Sequence, residues 1–479
     1  MASHWSRWKV VYLYGLFLLI STFGDNIKTG PEVRIYELVV CRHYFLEHDP
    51  SKVDEDGNVE ERYCKLDVIQ GELSVLRGWV FSWLLLVGML VTIPYGVIAD
   101  SMGRKVVVAA SLISITLPKT WIIMVCYFWQ TFQPRAILFS AVFRLLGGGY
   151  SVMNAVVLAA IVSFVANKQT AILFYISTMT LVSELAAPPL GSLIMIKSSP
   201  LMTMVVATMV EFLSIFVLPF ISEASQHAAA EYETLSGDEP SDEAVALPVP
   251  DQLLSSRKTL STRIKEKTKA ITEGMGEAAK FAVKDRNILF ALPSFLLPII
   301  AQELMAFLLQ YTSTKFGWTL AAATILTTMR PAITILLYTL LLPTFNRFLL
   351  MRLGLSAGNA DLVAAKVSPV LSVLGLLMMG LSSTPWMLAI GLVVFTLGYG
   401  YTQSAQLFLA SRVEKDQLGL LYTVTATISA IGGILGAPLI AQTLNLGLKL
   451  SGIWLGLPFF VAAGVYALSS IGVWSLSFT

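Results

Sequence analysis

Charged residues, cysteines and histidines are all scarce in this sequence, and each scarcity argues against a class of protein. Only 13% of the 479 residues are Asp, Glu, Lys or Arg, whereas 55% are hydrophobic. That is too little polar surface for a soluble globule. The net charge is only +2, and no basic stripe is interleaved with aromatic residues, which argues against a nucleic-acid partner. The sequence therefore predicts a membrane protein.

The small number of metal-binding side chains argues against a metal site or a cofactor. Cys41, Cys64 and Cys126 lack the paired spacing of structural zinc sites, and all four histidines lie outside the long apolar runs. Neither G-x-x-x-x-G-K-[ST] nor H-E-x-x-H occurs, so ATP hydrolysis and metalloprotease activity have no motif to support them. We expect no cofactor and no enzymatic activity. Because no histidine is available at mid-membrane, a buried proton carrier must be a carboxylate.

Apolar runs recur through most of the chain. A bilayer core of about 30 Å needs about 20 apolar residues per helix, and this length predicts an all-α membrane protein of twelve transmembrane helices. The predicted spans lie near residues 10–30, 73–98, 106–129, 136–165, 170–196, 201–221, 288–311, 321–343, 367–383, 386–409, 419–444 and 453–476. Lys and Arg are more frequent in loops on the side of the N terminus. We therefore expect a multi-pass protein of the cell membrane with both termini cytoplasmic.

A polar segment, residues 223–286, separates an N-terminal half (1–222) from a C-terminal half (287–479), with six predicted spans in each. Its first part is acidic, lacks Lys and Arg and contains three prolines, which favours disorder. Its second part is basic with interspersed apolar residues. That pattern is typical of an amphipathic helix lying on the inner leaflet, and a solvated helix with no lipid role is the alternative.

The first external loop is predicted to span residues 31–72 and contains two of the cysteines. Cys41 and Cys64 would both face an oxidising compartment, where disulfides persist. A disulfide between them is one interpretation, and two free thiols are the other.

The end of the second predicted span reads Gly96-Val97-Ile98-Ala99-Asp100-Ser101-Met102-Gly103-Arg104-Lys105. Glycines permit a tight turn, and the Asp100 carboxylate can face a helix N terminus and pair with Arg104. The stretch resembles G-x-L-A-D-R-x-G-R-K, the signature loop of the major facilitator superfamily, with Ser101 in place of the usual Arg. The resemblance implies the major facilitator fold, with two pseudo-symmetric six-helix halves, and a conformational latch. The latch residues would be Gly96, Asp100, Gly103, Arg104 and Lys105; an ordinary basic turn is the alternative.

Two further motifs lie inside predicted spans. In the fourth span, Arg144 and Gly148 resemble the superfamily pattern R-x-x-x-G, and helix geometry puts Arg144 near mid-membrane. A cation there is costly, so Arg144 should face a cavity, unless it serves in structural pairing alone. In the fifth span, Ala187-Pro188-x-x-Gly191-Ser192 resembles G-P-x-x-G-G of drug:proton antiporters. The expected helix-packing hinge comprises Gly148, Pro188, Pro189 and Gly191, and a packing kink without antiport is the alternative.

Ionisable residues inside predicted spans are functional candidates by default. The candidates for the cavity and for proton coupling are Asp25, Lys119, Arg144, Glu184, Glu211, Glu303 and Arg330. Among them the three glutamates are the proposed proton carriers, because an apolar environment favours the neutral form of a carboxyl group. Each of the three has a static role in an ion pair as its alternative.

A stretch after the first span, from Pro31 to Tyr44, resembles the P-x-x-R-x-Y-E-x-x-x-C-R-x-Y pattern of fungal superfamily members. Those proteins are distantly similar to proton-coupled folate transporters and are often secondary-metabolite pumps. The resemblance implies a monomeric secondary active transporter in the lipid bilayer that moves an amphipathic small molecule by proton-coupled efflux. Two alternatives stay open: a proton-coupled importer of a nutrient or vitamin-like anion, and a non-transporting sensor with residues 223–286 as its output.

Overall fold

The structure, a computed structural model, describes residues 2–54, 57–164, 169–221, 293–354, 357–401, 405 and 418–474. The predicted linker, 223–286, lies outside the described residues, so its predicted disorder and amphipathic helix stay expectations. All regular structure in the described residues is helical.

The N-terminal half contains seven described helices and two long 3₁₀ segments. The helices are α1 (Ala2–Ile27), α2 (Thr29–His48), α3 (Asp67–Met102), α4 (Arg104–Tyr127), α5 (Gly149–Phe164), α6 (Gln169–Lys197) and α7 (Pro200–Leu213). The 3₁₀ segment Pro134–Leu146 precedes α5, and Ser214–Phe220 extends α7. Helices satisfy their own backbone hydrogen bonds, which is why the bilayer admits them.

The C-terminal half contains eight described helices. They are α8 (Pro293–Gln302), α9 (Leu304–Phe316), α10 (Leu320–Leu336), α11 (Leu342–Leu353), α12 (Ala357–Gly380), α13 (Pro385–Leu397), α14 (Leu418–Leu450) and α15 (Leu457–Trp474). A single residue, Glu303, separates α8 from α9, and a helical turn at Leu337–Leu341 joins α10 to α11.

Several helices begin at a capping residue that the sequence supplies. The Ser199 hydroxyl accepts a hydrogen bond from the Met202 amide at 3.1 Å, and Pro200 occupies the first helical position of α7. Thr384 and Pro385 do the same at the start of α13. A capping hydroxyl satisfies an otherwise unpaired amide, and proline lacks the amide that would be left without a partner. Local sequence therefore fixes where these spans begin.

The predicted number of spans agrees with the helices observed. Among the described residues, ten segments are long and apolar enough to cross a membrane. The other two predicted crossings correspond to the broken pair α8–α9 and to the shorter apolar helix α13. The predicted all-α, twelve-span fold is confirmed.

The predicted loop at residues 31–72 is wrong for its first part. Residues Thr29–His48 form α2, which continues the direction of the chain after a break at Lys28. Its apolar side chains, including Val33, Val39 and Val40, are buried against neighbouring elements. Charged residues in this stretch suggested a loop, but they pair with each other inside the protein and so do not break the helix.

Each half packs around its own apolar core, and the outer faces carry large apolar side chains. The core of the C-terminal half includes Phe395, Phe459 and Tyr466, all at most 1% exposed. On the outer faces, Phe220 and Trp386 are more than two-thirds exposed. Apolar side chains that face outward are the expected surface of a protein surrounded by lipid.

The two halves contact each other mainly through α3 with α14 and α6 with α10. The Ser82 hydroxyl donates to the Ile434 carbonyl at 2.8 Å, and the Gln310 side-chain amide donates to the Gln70 carbonyl at 2.8 Å. At the periphery the Leu320 amide donates to the Glu61 carboxylate at 2.8 Å. These bonds lie between the middle of the molecule and the end that carries Cys41 and Cys64, here called the disulfide end. We call this set of contacts the polar seam.

Candidate functional site

A buried cluster of charges lies between α1, α4 and α7. The Lys119 ammonium donates to Asp25 Oδ1 and to Glu211 Oε2, both at 2.6 Å. The Tyr150 hydroxyl donates a short hydrogen bond to the other oxygen of Glu211. Glu211 is fully buried and Lys119 is 3% exposed, whereas the Asp25 side chain is 28% exposed. Asp25 is therefore the member of this triad that has access to solvent.

Close packing of α1 against α7 brings this triad together. Gly24 contacts the backbone of Glu211 so closely that a Cβ at residue 24 would lie 2.5 Å from the Glu211 amide nitrogen. A larger residue would push the two helices apart. Because Asp25 follows Gly24 directly, the same contact places the Asp25 carboxylate beside Lys119.

A cavity of about 240 Å³ opens beside Asp25, between the two halves. Its lining contains residues of both halves: Asp25, Asn26, Lys28, Thr29, Glu32, Val33, Tyr36, Arg77, Val80, Phe81 and Leu84 from the first, and Met305, Ala306, Phe307, Leu309, Thr327 and Ala437 from the second. The lining thus combines four charged side chains with apolar and aromatic walls, a composition typical of a site for an amphipathic small molecule.

The two cations of the cavity lining have different kinds of partner. The Lys28 ammonium lies 3.3 Å from Asp25 Oδ1 and 3.2 Å from Glu32 Oε2. Arg77 donates to the Ala306 carbonyl at 2.7 Å and to Gln310 Oε1 at 3.1 Å, so both of its acceptors are neutral groups of the second half. Sequence reasoning missed Glu32, Arg77 and Gln310 as site residues. Arg77 lies inside the second predicted span, and this position could have identified it as a candidate site residue.

The predicted fourth span, residues 136–165, is not one continuous helix, and Arg144 lies before its break. Arg144 lies in the last turn of the 3₁₀ segment Pro134–Leu146, and Gly148 and Gly149 have φ of +73° and +68°, so Arg144 and Gly148 do not share one helix face. Three consecutive glycines allow the chain to change direction there. The guanidinium lies 5.7 Å from the centre of the Tyr150 ring, and its buried Nε has no hydrogen-bond partner among the described residues. The carboxylates of the cluster pair with Lys119 and not with Arg144.

Glu184 and Arg330 join the two halves near mid-membrane. Arg330 Nη2 donates to Glu184 Oε2 at 2.8 Å, and Nη1 donates to the Tyr399 hydroxyl at 3.2 Å. Glu184 belongs to α6 and Arg330 to α10, so this ion pair crosses the interface.

Glu303 differs from the other two glutamates of the prediction. It lies at the junction of α8 and α9, next to Gly433 and Gly436 of α14. Within the described part of the chain its carboxylate has no ion-pair partner. Its neighbours Met305, Ala306 and Ala437 line the central cavity. Glu303 is therefore a mid-chain carboxylate close to the cavity and without a described counter-ion.

The signature loop forms a turn of one residue between α3 and α4. Gly103, with φ of +99°, ends α3 and begins α4, and Arg104 donates to the Ala159 carbonyl of α5 at 3.2 Å. Gly96 lies inside α3, and Lys105 lies in the first turn of α4. The Asp100 side chain is outside the described residues, so its predicted pairing with Arg104 stays a prediction.

The predicted hinge residues of the fifth span all lie within α6. The helix continues through Pro188 and Pro189. Gly191 contacts the carbonyl oxygen of Ile27 so closely that a Cβ would clash with it. This contact allows α6 to approach the junction of α1 and α2, directly beside Asp25.

Cys41 and Cys64 form a disulfide with an S–S distance of 2.15 Å. It ties α2 to the turn Glu61–Lys65, and both sulfur atoms are buried. On the same turn, Lys65 donates to Glu37 at 2.7 Å. The third cysteine, Cys126, is free and buried.

Two helical halves around a shared, charged cavity are the architecture of an alternating-access membrane transporter. In such a protein one binding site opens first to one side of the membrane and then to the other. The comparisons with known proteins agree: the chain belongs to the Major Facilitator Superfamily, whose family model matches residues 71–437. It is a transporter and not an enzyme, it spans the membrane many times, and it acts on a small-molecule substrate.

Fungal pumps are among its relatives. The chain is 29% identical over 468 residues to the MFS efflux pump atnC of Emericella nidulans, covering 96% of this chain and 86% of that protein. It is 26% identical to the efflux pump ustT of Aspergillus flavus, covering 94% of this chain and 84% of that protein. In fold it is similar to the nucleoside transporter NupG (D323A mutant), with a TM-score of 0.61 at 14% identity over 96% of this chain and 99% of that one.

Proposed function

We propose that this protein is a proton-coupled efflux transporter that moves an amphipathic small molecule, such as a secondary metabolite, out of the cell. Its relatives atnC and ustT are named efflux pumps. A disulfide persists in an oxidising compartment, which supports an external disulfide end and cytoplasmic termini in the cell membrane. The same proposal includes three further points: the protein is a monomer, residues 223–286 connect its two halves, and the signature loop acts as a conformational latch.

The central cavity carries the proposal. It is lined by both halves, and the polar seam joins the halves toward the disulfide end. In this conformation cargo would enter from the side of the termini. Rocking of the halves would then break the polar seam and release the cargo at the disulfide end.

The three glutamates that were proposed from the sequence as proton carriers differ in their ion-pair partners. Glu184 is paired with Arg330, and Glu211 accepts hydrogen bonds from Lys119 and Tyr150. Both carboxylates therefore have fixed partners, which suits static roles. Glu303 lacks such a partner among the described residues, and an unpaired carboxylate inside a membrane is stable only with a bound proton. Glu303 is therefore our candidate carrier of the coupling proton.

The direction of transport distinguishes the proposed exporter from the alternative, an importer. Cells with and without the protein are loaded with matched permanently anionic, neutral and permanently cationic benzene derivatives, and the amount retained is followed over time. An exporter lowers retention of at least one probe in cells that produce the protein relative to cells that do not. Higher accumulation in cells that produce the wild type would contradict efflux and support import.

A further inference from the structure

Arg77 is a cation that lines the cavity and has only neutral acceptors. It lies in α3, and both of its hydrogen bonds cross to the second half, to the Ala306 carbonyl and to Gln310 Oε1. Its guanidinium lies 5.0 Å from the centre of the Phe307 ring. Among the described residues it makes no ion pair with a carboxylate.

The remaining charges of the lining are compensated. Lys28 bridges Asp25 and Glu32, and Asp25 is also paired with Lys119. Arg77 thus forms no ion pair at contact distance among the described residues, although the Glu32 carboxylate of the same lining is near enough to attract it, in a part of the protein where an unpaired cation is costly. A guanidinium also presents a planar pair of donors that matches carboxylate, sulfonate or phosphate oxygens.

We infer that Arg77 binds an anionic group of the cargo, so that the transported molecule is an amphipathic organic anion, and that this binding loosens the polar seam. The inference rests on the proposed transport function and names its substrate class. The apolar body of the anion would lie against Phe81, Leu84, Met305 and Phe307, which line the same cavity.

The hydrogen bonds of Arg77 connect cargo binding to opening. An anionic oxygen is a stronger acceptor than an amide or carbonyl oxygen, so the cargo competes with Gln310 and Ala306 for the guanidinium. Gln310 also donates to the Gln70 carbonyl, so its position depends on both partners across the interface. An anion that holds Arg77 in the cavity therefore weakens the polar seam and shifts the protein toward opening at the disulfide end.

Binding to the purified full-length protein tests the substrate class. The probes are benzenesulfonate, neutral benzenesulfonamide and cationic benzyltrimethylammonium. Wild type should prefer the sulfonate over the sulfonamide by about ten-fold or more, because the ion pair adds a charge-assisted bidentate contact. Arg77→Gln should lose that preference, and Arg77→Lys, which keeps the charge without the planar fork, should retain part of it. Arg62→Gln is the matched control: it removes an exposed cation that lies outside the cavity lining, so the preference should remain.

Spin labels at the disulfide end test the coupling. Arg62 and Ser383 are exposed, lie on different halves and can be replaced by cysteine in a Cys126→Ala background. Benzenesulfonate should increase the fraction of long distances between the labels in wild type, and Arg77→Gln should not respond.

Equal binding of the three probes, or unchanged preference in Arg77→Gln of normal thermal stability, would overturn the anion site. Sulfonate binding without a change in distance would overturn the coupling.

The two proposals fail in different ways. Arg77-dependent sulfonate binding without transport driven by a pH gradient would support the inference and contradict the proposed function. Gradient-driven transport of the neutral or cationic probe that Arg77→Gln leaves unchanged would support the function and overturn the inference.

Discussion

At the scale of single residues, the charges near mid-membrane are stabilised by one another. Lys119 is almost completely buried and donates to Asp25 and Glu211. Moving such charges out of water is costly, and removal of one partner leaves the others uncompensated. Substitution of a single residue of this cluster is therefore expected to destabilise the protein.

Lys119→Met tests this cluster. It leaves two carboxylates without their shared cation, and we expect it to destabilise the protein by about 3 kcal/mol or more, seen as a lower Tm in detergent. Glu211→Gln in the Lys119→Met background removes one of the stranded charges and should recover part of the loss. A single variant as stable as wild type, or a double variant that is no better than the single, would contradict the assigned pairing.

The sequence predicted the members of this cluster but not their partners. Asp25, Lys119 and Glu211 were candidates because charged residues inside spans are rare and costly. Their pairing depends on the approach of α1 to α7 at Gly24, a tertiary contact that no local pattern encodes. Glu32 was missed for a related reason: its charged surroundings resembled a loop, although the chain there is helical.

At the scale of secondary structure, small residues decide how closely the helices approach each other. Gly147 contacts the backbone of Ala110 and Ser111 in α4, and Gly191 contacts the backbone of Ile27. The sequence predicted that small residues near Pro188 would allow a close helix contact. It did not predict the break of the fourth span at Gly147–Gly149, because the same residues also fit a continuous helix.

Gly191→Ala and Gly96→Ala make a matched pair of helix variants. Alanine at residue 191 would clash with the Ile27 carbonyl, whereas a Cβ at residue 96 has no atom within 4 Å among the described residues. We expect Gly191→Ala to lower the Tm and impair transport by separating α6 from α1. Gly96→Ala should leave the Tm unchanged or raise it slightly, because alanine favours the helix by about 1 kcal/mol. Equal effects of the two variants would contradict the assigned helix contact.

At the scale of the whole molecule, two helical halves share a cavity and meet along the polar seam. The number of spans and their division could be predicted from apolar run length, because the bilayer sets that length directly. The cavity could not, since its lining combines α1, α2 and α3 with α9, α10 and α14, and their relative placement depends on packing. The family assignment and the sequence resemblance agree on a transporter.

Gradient-driven transport in proteoliposomes tests the central claim, a proton-coupled transporter with Glu303 as the proton carrier, most directly. An imposed pH gradient should drive accumulation of benzenesulfonate by wild type. Glu303→Gln should abolish this accumulation yet retain exchange of labelled for unlabelled probe at equal pH, because the cavity is intact. Undiminished gradient-driven accumulation by Glu303→Gln would contradict the account.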